Sequence, residues 1–488
     1  MLTTLLIILP LIGAAASVAS GTANVRKVAL ATTIVELVLA AFAYKTYLAN
    51  PSDALLTTNV VWSNALGANF HVGMDGISLL MVLLTALLFP LIILSSFDKE
   101  YKNSRSFYAL ALTMQAALVG VFAAKDGLLF YTFWELALIP IWFICLIFGG
   151  EGRQRITFKF FIYTLFGSLF MLAALIFLYT KAGNSFDIEA LYRAGKSLSQ
   201  QDQTIVFWAL FLAFGIKMPI FPLHTWQPDT YTNAPTQGTM LLSGVMLKMG
   251  TYGLIRWMIP MVPMGVAANG KIAITLAVIS IVYASCIAIA QKDFKRMIAY
   301  SSIAHVGLIA AGMMAWNIQG LQGGMVQMLS HGINVVGLFF VYDIIASRVG
   351  TGEMNVMGGI RSVAPQLALA FLIILLGSVA LPLTNGFVGE FLLINGLFQY
   401  DFWLCVFGGL TVILGAVYML RGYQKMMLGE TTARTASFTD LTANEKWVLI
   451  PICILIILMG VYPKPILDLT EPSVKALLEG VASGWTSK

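Results

Sequence analysis

Apolar runs of about 20 residues follow one another along nearly the whole chain, with only short polar stretches between them. A run of that length spans roughly 30 Å as a helix, which is the thickness of a bilayer's hydrocarbon. Inside hydrocarbon each backbone N–H and C=O has to find its partner within the protein, and for runs of this length that means helix. The expected fold class is therefore an all-α polytopic membrane protein. Composition agrees: of 488 residues 59% are hydrophobic and 11% charged, where soluble domains carry roughly a quarter charged residues. No soluble domain fits between the runs. The net charge of +6 would suit nucleic acid or acidic partners in a soluble chain, but in a membrane protein it is the placement of lysine and arginine that matters, because it sets topology.

The runs predict about 14 transmembrane helices. Helices 1–3 fall in residues 1–105, with a polar loop reaching His71 before the third. Helices 4–8 fall in 106–258 and include a loop at 182–203 rich in Gly, Ser and charge, then spans at about 204–222 and 236–258. Helices 9–13 occupy 270–420, starting near Ile272, Met297, Gly323, Gln366 and Phe402. A basic loop, helix 14 at about 446–463 and a short tail complete 421–488. The first segment, MLTTLLIILPLIGAAASVAS, ends in small residues like a signal peptide but lacks a basic start, and reads as a retained span. Alternate loops hold most of the cations, among them Arg26, Lys99, Arg153, Lys292, Arg296 and Arg348, which predicts both termini on the opposite, outer side.

Against this apolar background the stretch Leu210–Arg256 stands out, because each of its two apolar segments carries one lysine far from either end, Lys217 and Lys248. An ammonium at mid-membrane costs about 2.5–3.5 kcal/mol on insertion scales, so both must face protein or water. Pro219 follows two residues after Lys217, and proline inside a span frees carbonyls that only a polar interior can satisfy. The second set of five helices repeats the arrangement with Pro382 and Glu390, and the second helix of each set carries an ionisable group, Glu135 and His305. An odd number of helices per set inverts the second relative to the first. Two inverted five-helix repeats, each with a broken helix, predict a transport site near the midplane.

Glu135, Lys217, Lys248, His305, His331 and Glu390 thus make a series of titratable groups on six helices, suited to proton translocation. Glu135, within LLFYTFWELALIPIWF, must be protonated or meet a cation. A static Glu135–Lys217 pair that fixes helix register is the plain alternative. A nearby carboxylate changes a buried lysine's hold on its proton, so movement of Glu135 relative to Lys217 would load or unload it. Either histidine alone reads most simply as a satisfied core residue, but their place between the lysines and Glu390 favours a relay, since imidazole accepts at one nitrogen and donates from the other. Helices are about 10 Å wide and a hydrogen bond spans under about 3 Å, so such a path needs bridging water.

Other charges carry less. His224, at a span end, suits helix capping and interface contacts equally, and His71 lies in a loop. Glu36 suits a pair with Lys45 or a partner contact, Asp343 a pair with Arg348, and Lys159 can snorkel. Cys145, Cys286, Cys405 and Cys453 lie in separate apolar segments without C-x-x-C spacing or a histidine pair, which argues against iron–sulfur, zinc and redox-disulfide roles. No phosphate loop, metal constellation or nucleophilic triad appears in the sequence.

Lys217-Met-Pro with FPLHTWQPDTYTNAPTQG, then LLSGVMLKMGTYGLIR, DFKRMIAYSSIAHVG, MLSHGI and GFVGEF, resemble the antiporter-type membrane subunits of respiratory NADH:quinone oxidoreductase, over roughly Gly73 to Gly429. The same fold serves multisubunit cation/proton antiporters and membrane-bound hydrogenases. The resemblance implies Glu135 and Lys217 as a coupled pair, Lys248 as central relay, His305 and His331 as onward carriers and Glu390 as terminal site. It implies that NAD, FMN, iron–sulfur clusters and quinone belong to partner subunits, with no cofactor, metal or nucleic acid held by this chain. Partners would be other membrane-arm subunits, two of them antiporter-like, in a bacterial inner membrane. Glu390, where those two usually have lysine, and the short tail after helix 14 set this chain apart from them. Where the family often has Ala-His after Pro228-Asp229, this chain has Thr230-Tyr231, and Gln227 replaces a usual leucine. A sodium/proton antiporter subunit and a non-pumping structural subunit remain as alternatives.

Overall fold

The computed structural model describes residues 1–485 and is an all-α bundle with one small hairpin. The chain opens with α1 (Leu2–Ala19) and α2 (Val25–Ala49), followed by strands β1 (Thr57–Ser63) and β2 (Ala68–Gly73). Next come α3 (Gly76–Ser95), α4 (Ser104–Ala123), α5 (Gly127–Phe148), α6 (Arg153–Lys181) and the short α7 (Ile188–Ser197). The central part holds α8 (Gln200–Lys217), α9 (Gln227–Asn233), α10 (Thr236–Leu241) and α11 (Lys248–Gly253), then α12 (Pro263–Ala290), α13 (Phe294–Met314) and α14 (Ile318–Val349). The chain closes with α15 (Ile360–Val363), α16 (Pro365–Ser378), α17 (Asn385–Tyr400), α18 (Phe402–Met427), α19 (Ala443–Val461) and α20 (Lys464–Trp485).

Among the described residues eleven helices are long and apolar enough to cross a bilayer. The spans expected at 204–222, 236–258 and from Gln366 are each divided. The helix α8 stops at Lys217, and Met218–Trp226 runs irregularly to α9. A π-helical turn, Leu242–Met246, joins α10 to α11, and a second, Leu254–Met258, follows α11. Between α16 and α17, Ala380 (φ 56°) and Leu383 (φ 73°) take left-handed backbone that side chains disfavour, so tertiary packing enforces this break around Pro382.

Polar residues end the helices where the apolar runs end. Asp75 accepts from Ser78 N to start α3, Asp126 from Leu128 N and Leu129 N to start α5, and Asp293 from Arg296 N to start α13. The polar loop before α3 is not loop throughout: β1 and β2 pair antiparallel from Thr57↔Gly73, with a bulge between Val61 and Ser63. Its signal was a short run of β-branched residues, too brief to outweigh the apolar periodicity around it. The 182–203 segment likewise contains α7, whose Ile188 and Leu191 face inward. The tail is also helical: Thr470, Val474, Leu477 and Val481 of α20 recur at helical spacing and are buried. The ninth span begins at Pro263, earlier than Ile272.

One end of the bundle gathers the hairpin, α7 and α20. There the Met1 ammonium donates to Leu55 O, His71 pairs with Asp187 at 3.0 Å, and Gly76 N donates to Ser473 Oγ. A Cβ at Gly76 would sit 2.0 Å from Leu469 O, so only glycine lets α20 cross there. At the opposite, basic end Arg26 donates to Phe97 O and Lys99 O. Asp343 pairs with Lys99 at 3.0 Å and not with Arg348, which reaches Glu445 at 2.7 Å. Neighbours in sequence had suggested the wrong partner; the α3–α4 loop supplies the right one. Lateral faces of α2, α6, α18 and α19 turn rows of Ile, Phe and Leu outward, as a lipid-facing surface requires, while α13 and α14 are buried nearly all round.

Candidate functional site

Lys248 sits directly after the first π turn, where Leu247 N reaches back to Leu242 O at 3.0 Å. Such a turn widens the helix and alters which carbonyls are free. The Lys248 ammonium donates to Ser243 O at 2.5 Å and lies 2.9 Å from Nδ1 of His331 on α14. With the ammonium as donor, Nδ1 accepts, which places the ring proton of neutral His331 on Nε2. The rings of His331 and His305 stand 5.9 Å apart between centroids. Nδ1 of His305, on α13, is 3.0 Å from Oε1 of Glu390 on α17, an approach too poorly aligned for a hydrogen bond. Gln327 Nε2 donates to the same Glu390 oxygen at 3.2 Å. All four titratable groups are buried, Lys248 completely and Glu390 to 2% exposure.

The packing that allows this is a seam of small residues. A Cβ on Gly389 would sit 2.4 Å from Gln327 Oε1, and one on Gly396 would meet Gly320 at 2.7 Å, so α17 approaches α14 through glycine. That approach brings Glu390 to Gln327 and His305. Ser301, Ser302, His305, Gln327, His331 and Asn334 line a narrow cavity beside the series. At the 2.9 Å separation of Lys248 and His331, two positive charges would repel by on the order of 5 kcal/mol at an effective dielectric of 20. The pair therefore holds at most one proton charge between two bases.

Glu135 and Lys217 are arranged differently. Lys217, the last residue of α8, is buried with its Nζ 5.4 Å from the centre of the Trp134 ring and makes no hydrogen bond. Glu135, adjacent to Trp134 on α5, faces Ser168 of α6 and feels the charge of Lys217, but one carboxylate oxygen has no partner. The structure thus brings Lys248, His331, His305 and Glu390 into one contact series and leaves Glu135 and Lys217 as neighbours out of contact.

Several polar residues at the site carried no sequence flag. Gln327 precedes His331 by four residues, hence shares its helix face, and that spacing was a usable signal. Asn385 Nδ2 donates to Asn334 Oδ1 at 3.0 Å, and Ser330 Oγ to Asn385 O, at the start of α17. Arg256 pairs with Asp75 near the hairpin end. Burial alone would push the Asp75 carboxyl up, but Arg256 and the Ser78 N–H outweigh it and hold it below the usual carboxylate range. His224 lies between the Phe221 and Tyr283 rings. Lys159 reaches Asp229 of α9 at 3.1 Å and Thr225 O of the irregular segment at 2.7 Å, so it is tied to both and does not simply snorkel. Glu36 is buried with both carboxylate oxygens lacking a hydrogen bond, so it does not pair with Lys45.

The family described as NADH:quinone oxidoreductase/Mrp antiporter, TM, matches residues 124–415, and NADH-ubiquinone oxidoreductase chain 4, amino terminus, matches residues 1–121. The chain belongs to this family. An NADH-quinone oxidoreductase subunit M from Rickettsia conorii is 41% identical over 418 residues, covering 86% of this chain and 85% of its own. The NADH-ubiquinone oxidoreductase chain 4 of Marchantia polymorpha is 34% identical over 97% of this chain and 96% of its own. Among solved structures, a chain of respiratory complex I from Thermus thermophilus with bound NADH superposes with a TM-score of 0.91 at 31% identity, covering 99% of this chain and 100% of that one. The resemblance carried by the motifs is borne out, and the chain is an antiporter-like, multi-pass membrane subunit of the bacterial plasma membrane.

Proposed function

We propose that this chain translocates protons as a membrane-arm subunit of NADH:quinone oxidoreductase, driven by NADH oxidation and quinone reduction in partner subunits that hold the NAD, FMN, iron–sulfur and quinone sites. One observation carries the reading: Lys248, His331, His305 and Glu390, from four helices, form a buried series with 2.9 Å and 3.0 Å contacts at its two ends. A scaffold needs only paired charges. A series in which one proton charge is shared between adjacent bases suits transfer.

Lys248 passes a proton to Nδ1 of His331 as the Nε2 proton leaves on the far side, which leaves the pair neutral; uptake of another proton by Lys248 and return of the ring proton to Nε2 reset it. His305 and then Glu390 receive the released proton, with water bridging the longer gaps. Glu135 and Lys217 form the input, where a shift of the carboxylate changes how tightly the lysine holds its proton. The two breaks, after Lys217 and around Pro382, support reading 106–258 and 270–420 as inverted five-helix repeats, with 1–105 and 421–488 flanking them. Counting each divided span as one crossing gives about 14. The central ammonium disfavours sodium as the transported ion, since among these four groups only Glu390 offers anionic oxygen.

The test uses the assembled complex in sealed vesicles. Lys217→Ala is expected to abolish NADH-driven acidification while NADH oxidation by an artificial acceptor continues. Unchanged acidification would reject the pathway, and transport driven by an imposed sodium gradient without NADH would support the antiporter alternative.

A further inference from the structure

Between the break after Lys217 and the Lys248 series lies α9, whose buried face carries two polar side chains with no part in the path above. Gln227 and Tyr231 are one helical turn apart, share a face and are both buried. Gln227 donates from Nε2 to Ala299 O on α13 at 3.1 Å and leaves its Oε1 without a partner. The Tyr231 hydroxyl lies near both Gln227 and Ser243. Ser243 Oγ is 3.3 Å from Ser302 Oγ, and Ser302 lines the cavity that holds His305 and His331. The carbonyl of the same Ser243 holds the Lys248 ammonium. At its other end α9 begins beside Lys217, where Trp226 Nε1 donates to Ile216 O at 3.0 Å. Buried hydroxyls and amides are costly in a membrane interior unless paired, and those of Gln227 and Tyr231 sit beside the Lys248 series on a helix that starts close to the end of α8.

We infer that Tyr231, Ser243 and Ser302 form a hydroxyl relay that carries protons between the Lys217 side of the bundle and the His331–Lys248 pair, with Gln227 as a positioning residue that orients the tyrosine hydroxyl. The relay rests on the proton-translocation reading above. At each hop a hydroxyl oxygen accepts a proton from one neighbour and gives its own to the next. One O–H bond forms as another breaks, and rotation of the hydroxyl resets it. Hydroxyls suit this because each donates one proton and offers lone pairs to another. No member needs to become stably charged.

Tyr231→Phe and Tyr231→His, compared in assembled complex in sealed vesicles, separate relay from packing. Phenylalanine keeps the ring and loses the oxygen; histidine changes the shape but restores a group that accepts and donates. The relay predicts that Tyr231→Phe lowers NADH-driven acidification by at least about tenfold, that Tyr231→His recovers most of it, and that Ser243→Ala behaves like the phenylalanine variant. It also predicts a larger solvent deuterium effect on coupled turnover in Tyr231→Phe than in the parent. Gln227→Leu should give a smaller loss. Parent-like Tyr231→Phe with defective Tyr231→His, or equal loss in both, overturns the relay. Lys217→Ala measured alongside keeps the two ideas apart: loss there with intact Tyr231→Phe removes only the relay, whereas intact transport in both removes translocation itself.

Discussion

The two lysines at the heart of this bundle sit in contrasting surroundings. Lys248 has its ammonium engaged by Ser243 O and His331, behind a π turn that fixes where the side chain starts. Lys217 has the face of Trp134 and no hydrogen bond, with Glu135 near but not in contact. A group whose partners are already in place passes a proton along with little rearrangement. A group with unused donors beside an under-used carboxylate responds to small movements. Closing such a gap from about 8 Å to about 4 Å strengthens the attraction by about 2 kcal/mol at an effective dielectric of 20, more than a tenfold change in proton occupancy. Under the proposed function, the contrast would give switching to Glu135 and Lys217 and conduction to the Lys248–His331–His305–Glu390 series.

Glu135→Gln sharpens that contrast most. It removes the charge and nearly preserves shape, and it should stop coupled acidification almost completely while leaving oxidation by the peripheral arm intact, as measured in sealed vesicles with an artificial electron acceptor. Glu390→Gln at the conducting end should slow transport by about 10- to 100-fold without stopping it, because Gln327 can still hold the amide. Gln327→Leu removes one hydrogen bond worth about 1 kcal/mol, and a several-fold decrease in the coupled rate is expected. A larger effect from Gln327→Leu than from Glu390→Gln would reverse the roles given to charge and positioning.

The smallest effect on transport is expected far from both, at Asp75. Its folded carboxyl is held low, so its contribution to stability is full above the ordinary carboxylate range near pH 4 and is lost as pH falls through the lower folded value. Asp75→Asn should therefore melt at a lower temperature than the parent at pH 7, with the gap narrowing below about pH 4, and with transport per assembled complex unchanged.

The apolar runs made the crossings legible because hydrocarbon imposes one length and one backbone structure on them. Lys217 and Lys248 were legible for the opposite reason: each violates the composition of its own run. The hairpin, α7 and α20 were not, since their short or amphipathic patterns lie at the ends of the bundle, where water relaxes those constraints. Asp343 shows a further limit. Its partner Lys99 is far away in sequence, and only the fold of the α3–α4 loop reveals that Arg348 is engaged elsewhere. Gln327 was readable from its spacing to His331, but an amide carries no charge to draw attention within a span. The π turns around Lys248 leave no signature in residue type.

Lys248→Met tests the central claim most directly, because methionine fills nearly the same space without a proton to give. In sealed vesicles containing the assembled complex, NADH-driven acidification should vanish while NADH oxidation by an artificial acceptor and the amount of assembled complex stay at parent levels. Acidification at the parent rate in that variant would contradict a proton path through the Lys248–His331–His305–Glu390 series.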